Sequence, residues 1–189
     1  MITLQPKQSK MESTIRVKDK DFRIFIESDT INAAITKIAE DLNTDVKDEN
    51  PLFLVILNGA FMFAGDLLKK VKFNCNISFV KLASYSGTQS TNQVQELIGL
   101  NEEIKGRSIV IIEDIIDTGK TLEVLLKQLK AKGASSVRIA ALLYKPDSFK
   151  CNYDIDYIGI KIPNDFIVGY GLDYDGYARN YPDIYKIVD

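Results

Sequence analysis

Two short runs without a polar residue, Leu52–Leu57 (LFLVIL) and Ile109–Ile112 (IVII), constrain this chain most. They are too short for helices and lack the alternation of a half-solvated strand. Uninterrupted apolar runs of this length suit parallel strands buried on both faces. Parallel neighbours need long crossovers, normally helices, and helical patterns do lie around these runs. Ile31, Ala34, Ile35, Ile38, Ala39 and Leu42 recur at i, i+3, i+4, i+7, i+8 and i+11, with Ser28 or Asp29 available as N-cap and DVKDENP as the closing loop. Asn58-Gly59 turns the first run into a helix with Phe61, Ala64, Leu68 and Val71 on one side. Residues 119–132 form an amphipathic helix on Leu122, Leu125, Leu126 and Leu129, ended by Gly133 at C′.

Further strands are expected at Ile77–Tyr85 and Val137–Tyr144, with short strand-like pieces around a charged turn in 14–26. Residues 1–13 read as a polar lead-in, and the stretch after Tyr144 as short strands and turns dense in tyrosine. Strands alternating with helices imply a βαβ sheet with right-handed crossovers. Ligands of such sheets bind beyond the carboxyl ends of the strands. Here the loops after Leu57, Ile112 and Tyr144 would meet there.

A length of 189 residues fits one domain, and 46% apolar and 26% charged residues describe an ordinary globular chain. Net charge is −2, so no overall basic field holds nucleic acid. Histidine is absent, which excludes Ser-His-Asp and Cys-His catalysis and any His-ligated metal. Cys75 and Cys151 stand far apart and form no metal-type pair. The polar start MITLQPKQSK has no apolar core of a signal peptide, so free thiols in the cytoplasm are expected. No apolar run approaches the ~20 residues of a membrane span.

The chemistry concentrates in EDIIDTGKTL, residues 113–122. Glu113 and Asp114 follow the IVII run. Burying both in one apolar core would be costly, so they are expected at its open end, either as ligand groups or as solvated charges. Asp117, Thr118, Gly119, Lys120 and Thr121 sit where strand gives way to helix. Free N–H groups, two hydroxyls and a Gly there make an anion cradle, or else a loop capped by Asp117 or Thr118. A Walker A loop requires Gly where Asp114 stands, and a carboxylate there would repel a triphosphate. A sugar phosphate fits better, with its phosphate in the 117–121 cradle and its vicinal hydroxyls on Glu113 and Asp114.

EDIIDTGKTL resembles the phosphoribosyl-pyrophosphate motif of type I phosphoribosyltransferases, and more narrowly of the 6-oxopurine (hypoxanthine) enzymes, a likeness that runs from about residue 50 to the end. The resemblance implies an α/β fold with a central, mostly parallel twisted sheet flanked by helices. A small hood is formed by terminal segments, about 14–26 and 157–189, within a single domain, and residues 84–95 form a mobile lid. LVILNGAFMFAGDLL is similar to the pyrophosphate loop, where the peptide before Asn58 is often cis and would aim a backbone N–H at pyrophosphate. Many relatives carry Lys at the Asn58 position; Gly59 would otherwise serve an ordinary turn. SYSGTQSTNQ resembles the catalytic lid, with Ser84 and Tyr85 closing over pyrophosphate; by composition it is equally a flexible hairpin. Lys81 matches a basic position beside pyrophosphate, or is a snorkelling surface lysine.

In LLYKPD, Lys145 matches the lysine that hydrogen-bonds the purine 6-oxo group, and a donor-only ammonium would reject a 6-aminopurine. KIPNDFIVGYGLDYDGYARNYP implies Phe166 stacked on the base, Ile167 offering backbone contacts, Asp173 at magnesium-bound water or the base, and Arg179 on pyrophosphate. The tyrosines at 170, 174, 177, 181 and 185 read as core and interface packing rather than ligands. The implied reaction joins a 6-oxopurine to phosphoribosyl pyrophosphate. Mg2+ would be held partly through substrate or water by Glu113, Asp114 and Asp173, with Asp117 as proton acceptor at purine N7. The family implies a homodimer or homotetramer. The rival reading is a regulator of the same fold that senses phosphoribosyl pyrophosphate.

Overall fold

The computed structural model describes residues 14–83, 95–98 and 102–188. In chain order these form β1 (Thr14–Val17), β2 (Lys20–Ile26), α1 (Ser28–Asp45), β3 (Leu52–Leu57), α2 (Phe61–Leu68), β4 (Asn76–Ala83) and β5 (Gln95–Ile98). They continue with β6 (Ser108–Ile116), α3 (Lys120–Ala131), β7 (Ser136–Tyr144), β8 (Tyr157–Lys161), β9 (Ile167–Val168) and β10 (Ile184–Ile187). The lead-in 1–13 and most of the expected lid, with Ser84 and Tyr85, lie outside the described residues. Among the described residues no helix is long and apolar enough to cross a membrane.

The main sheet has the order β5-β4-β3-β6-β7-β8, parallel throughout except for β5, which runs antiparallel to β4. The two apolar runs that define the sequence are its adjacent centre, with Leu52 opposite Ile109 and Val55 opposite Ile112. Each face is buried, as such runs require. Phe53, Val55, Val110 and Ile112 meet α1 and α2 on one side. Leu52, Leu54, Ile109 and Ile111 meet Leu122, Leu125 and Leu129 of α3 on the other. The terminal segments form a second, antiparallel sheet, β1-β2-β10-β9, with its own small core around Phe22, Val168 and Tyr185.

Three expectations are corrected. Strand β6 does not stop at Ile112: its ladder with β7 continues to Ile116 opposite Tyr144, whereas pairing with β3 ends at Ile112. The charged pair thus lies within a strand, beyond the last residue paired with β3, and the loop begins after Ile116. Neither Ser28 nor Asp29 caps α1; Glu27 occupies the cap, and the Ser28 N–H donates to Asp183 Oδ1 at 2.7 Å. In α2 the buried residues are Phe63, Ala64 and Leu67, while Phe61 is 46% exposed. FMFAGDLL is apolar nearly all round, so periodicity does not select a face and packing against the sheet does. Of the five tyrosines, Tyr170 and Tyr185 are buried and Tyr177 is 60% exposed in the single chain.

Candidate active site

The 117–121 loop links β6 to α3. Gly119, at φ 81°, occupies the helix cap, and no side chain caps the helix, so neither Asp117 nor Thr118 does so. The first-turn N–H groups of α3 thus meet no side-chain acceptor at the cap. A cleft lined by Glu113, Asp117, Thr118, Gly119, Lys120 and Thr121, among others, opens over them. Behind the loop, the Tyr153 hydroxyl donates to Gly119 O at 2.9 Å and the Lys150 N–H to Thr118 O at 3.2 Å.

Glu113 and Asp114 are neighbours near the end of β6. Asp114 is buried, and a Cβ added to Gly59 would overlap its carboxylate. Burial pushes the Asp114 carboxyl up to about 6, against the pull of backbone amides and of Arg179. Glu113 Oε2 is buried without a hydrogen-bond partner among the described residues. Its carboxyl is raised well above the ordinary range by burial and then by the Asp114 charge. Buried acceptors of this kind call for donors, and paired hydroxyls would supply them.

On the Asp114 side three chain segments converge. The Leu57–Asn58 peptide is cis, and Lys81 stands opposite Leu57 in the β3–β4 ladder. A Cβ on Gly171 would overlap Gly59 O, so the glycine at 171 lets the C-terminal segment touch the β3–α2 turn. Arg179 donates to Gly171 O at 2.6 Å and pairs with Asp173 at 2.6 Å. The second Asp173 oxygen accepts the Gly176 N–H at 2.6 Å.

At the opposite edge of the loop, Lys145 Nζ lies 3.2 Å from Asp117 Oδ2. The lysine is buried and the aspartate half exposed. Phe166 is 46% exposed, its ring edge-on to Tyr174 at 5.8 Å and tilted against Phe22 at 6.1 Å. Ile167 is buried in β9, opposite Lys186. Among the described residues no group of three carboxylate, thiol or imidazole side chains could hold a metal alone.

The structure thus gathers Gly59, Asp114, Asp173 and Arg179 on one side and Asp117 with Lys145 on the other. Sequence reasoning missed Phe149, Tyr153 and Gly171, which shape the site from behind. The extra glycine in VGYGLD is a signal for Gly171. Phe149 and Tyr153 act only through a fold-level contact and carry no local signal.

This arrangement is the frame of a sugar-phosphate transferase, and the sequence profile of the phosphoribosyl transferase domain matches residues 27–175. The chain belongs to the phosphoribosyltransferase family. Its relatives narrow the class: it is 39% identical over 160 residues to the hypoxanthine-guanine phosphoribosyltransferase of Streptococcus pyogenes, covering 84% of this chain and 88% of that protein. It is also 39% identical over 163 residues to the bifunctional protein TilS/HprT of Listeria monocytogenes, covering 86% of this chain. The match spans only 25% of that longer protein. A solved hypoxanthine phosphoribosyltransferase from Staphylococcus aureus superposes with a TM-score of 0.83 at 34% identity, covering 87% of this chain and 90% of that one.

Proposed function

We propose that this protein is a hypoxanthine-guanine phosphoribosyltransferase of purine salvage, which transfers the phosphoribosyl group to N9 of a 6-oxopurine. The N9–C1′ bond forms as the C1′–oxygen bond to pyrophosphate breaks. The observation that carries the reading is the 3.2 Å contact between Lys145 and Asp117 at the edge of the uncapped loop. It puts a donor suited to a 6-oxo group beside an acceptor suited to N7–H, next to an anion cradle.

In this reading residues 117–121 bind the 5′-phosphate, and Glu113 and Asp114 accept the ribose hydroxyls. Asn58, Gly59, Lys81 and Arg179 face pyrophosphate, together with Ser84 and Tyr85. Phe166 stacks on the base, Ile167 flanks it, and Asp173 serves the base or metal side. The segments 14–26 and 157–189 supply the base-binding hood, except for β8 (Tyr157–Lys161), which is an edge strand of the main sheet. Asp117 accepts the N7 proton and so assists attack by N9.

Mg2+ fits this donor set only as a shared ion. Glu113 and Asp114 are adjacent, and Glu113 Oε2 lacks a partner among the described residues, whereas Asp173 has both oxygens engaged. Substrate oxygens and water would complete its shell. When bound, the ion neutralises charge on the pyrophosphate leaving group. The family resemblance further supports a cytoplasmic homodimer or homotetramer. The regulator reading finds no support among relatives named as phosphoribosyltransferases.

The test is a steady-state assay with hypoxanthine, guanine or xanthine, phosphoribosyl pyrophosphate and Mg2+. Nucleotide is expected from hypoxanthine and guanine; none from any purine would sink the reading.

A further inference from the structure

The segment after Lys145 runs behind the phosphate loop and fixes two successive carbonyls. Thr118 O accepts the Lys150 N–H at 3.2 Å, and Gly119 O accepts the Tyr153 hydroxyl at 2.9 Å. Gly119 O also accepts the Glu123 N–H at 3.0 Å, the first bond of α3, so both its lone pairs are used. The rings of Phe149 and Tyr153 pack edge to face at 5.1 Å. Together they fill the space a Cβ on Gly119 would take, with Phe149 Cε2 at 2.6 Å and Tyr153 Oη at 2.7 Å from that position. Only a glycine permits so close a backing.

In a trans peptide the N–H points opposite to the C=O. The Leu57–Asn58 bond is the only cis peptide among the described residues, so the bonds flanking Gly119 are trans. With the Thr118 and Gly119 carbonyls drawn toward the 149–153 segment, the N–H groups of Gly119 and Lys120 turn to the other side, toward the cleft. Successive N–H groups sharing one side form an anion-binding concavity. Burial pushes the Tyr153 phenol up, so its hydroxyl keeps the proton it donates.

We propose that Tyr153 is a positioning residue for the 5′-phosphate: by holding the Gly119 carbonyl outward, its hydroxyl keeps the Lys120 N–H aimed at the phosphate. The inference rests on the phosphoribosyl reading above and extends it to a side chain outside the loop. The helix bond alone ties the Gly119 carbonyl from one direction, and glycine has no side chain to stop that peptide from rocking.

The experiment uses the full chain and the variants Tyr153→Phe and Tyr157→Phe. Tyr157 is a control: a buried phenol whose hydroxyl bonds Asp45 Oδ2 at 3.2 Å under α1, away from the loop. Steady-state kinetics are combined with calorimetric binding of ribose 5-phosphate and, separately, of pyrophosphate. Loss of one such hydrogen bond should raise the KM for phosphoribosyl pyrophosphate and weaken ribose 5-phosphate binding about three- to tenfold in Tyr153→Phe. Pyrophosphate affinity and the KM for hypoxanthine should stay within about twofold, and Tyr157→Phe should move none of them while lowering Tm by about as much as Tyr153→Phe does. Unchanged ribose 5-phosphate affinity in Tyr153→Phe, or an equal loss of pyrophosphate affinity, overturns the role of Tyr153. A wild-type chain that forms no nucleotide overturns the phosphoribosyl reading instead.

Discussion

Lys145 and Asp117, 28 residues apart in the chain, meet at 3.2 Å between Nζ and Oδ2. The lysine expected to read the purine oxygen and the aspartate expected to receive the N7 proton therefore share a contact, and an incoming base would bridge the two. Asp117→Asn removes the carboxylate that can take the proton and keeps the shape. It should leave the KM for phosphoribosyl pyrophosphate nearly unchanged and lower kcat about 10²-fold or more. An unchanged kcat in steady-state assays removes Asp117 from that role.

Lys145→Gln replaces a donor-only group by one that both donates and accepts. Affinity for hypoxanthine should fall by about 1–3 kcal/mol, and discrimination against adenine should relax. Competition between the two bases measures this directly. Discrimination equal to wild type would assign base choice to the backbone instead.

Gly59→Ala tests the close approach to Asp114. Gly59 is not among the positive-φ residues, so backbone freedom is not at issue and the effect is steric. The new methyl overlaps the Asp114 carboxylate. A loss of about 1–3 kcal/mol in denaturant unfolding is expected, with at least a tenfold rise in the KM for phosphoribosyl pyrophosphate. Wild-type values of both would show that Asp114 can move aside freely.

Glu49 lies away from the site and offers a pH test of the fold. The Arg138 guanidinium bonds both its oxygens, at 2.7 and 2.8 Å, and the Ser108 hydroxyl adds a third bond at 2.6 Å. These partners, Arg138 first, hold its carboxyl below the ordinary 4.5. A depressed folded value means the stabilisation is present above that ordinary value and is lost as pH falls through the folded one. Glu49→Gln should thus cost about 1–3 kcal/mol at pH 7, and its gap from wild type should close below about pH 4.5. Urea midpoints across pH 7 to 3 check the sign; a gap that widens toward acid contradicts it.

Asp183 caps α1 from a distance, accepting the Ser28 N–H at 2.7 Å. Asp183→Ala should destabilise the protein by about 1 kcal/mol. Ser28→Ala should be nearly neutral, because the side chain of Ser28 makes no cap bond. Thermal unfolding of both variants separates the local cap from the tertiary one.

Much of the fold was legible because its signals are local. LFLVIL became β3 with the same ends, and the leucine stripe from Leu122 to Leu129 buried itself as α3. Where composition was uniform the signal failed. An almost wholly apolar α2 gave no preferred face, so Phe61 was misplaced. The end of β6 was misjudged because Glu113 and Asp114 look like a boundary, yet β7 pairs with the chain beyond them as far as Tyr144.

Residue order alone determined the alternation of strand and helix, the loop between strand and helix in EDIIDTGKTL and the absence of histidine. Each is written within a few neighbouring residues, where periodicity and local backbone geometry act. The tertiary structure alone decided that Tyr153 holds Gly119, that Gly171 touches Gly59 and that Asp183 caps a helix 155 residues away. Those contacts depend on sheet order and register, which bring distant segments to one strand end, and no local pattern records which side chains will meet there.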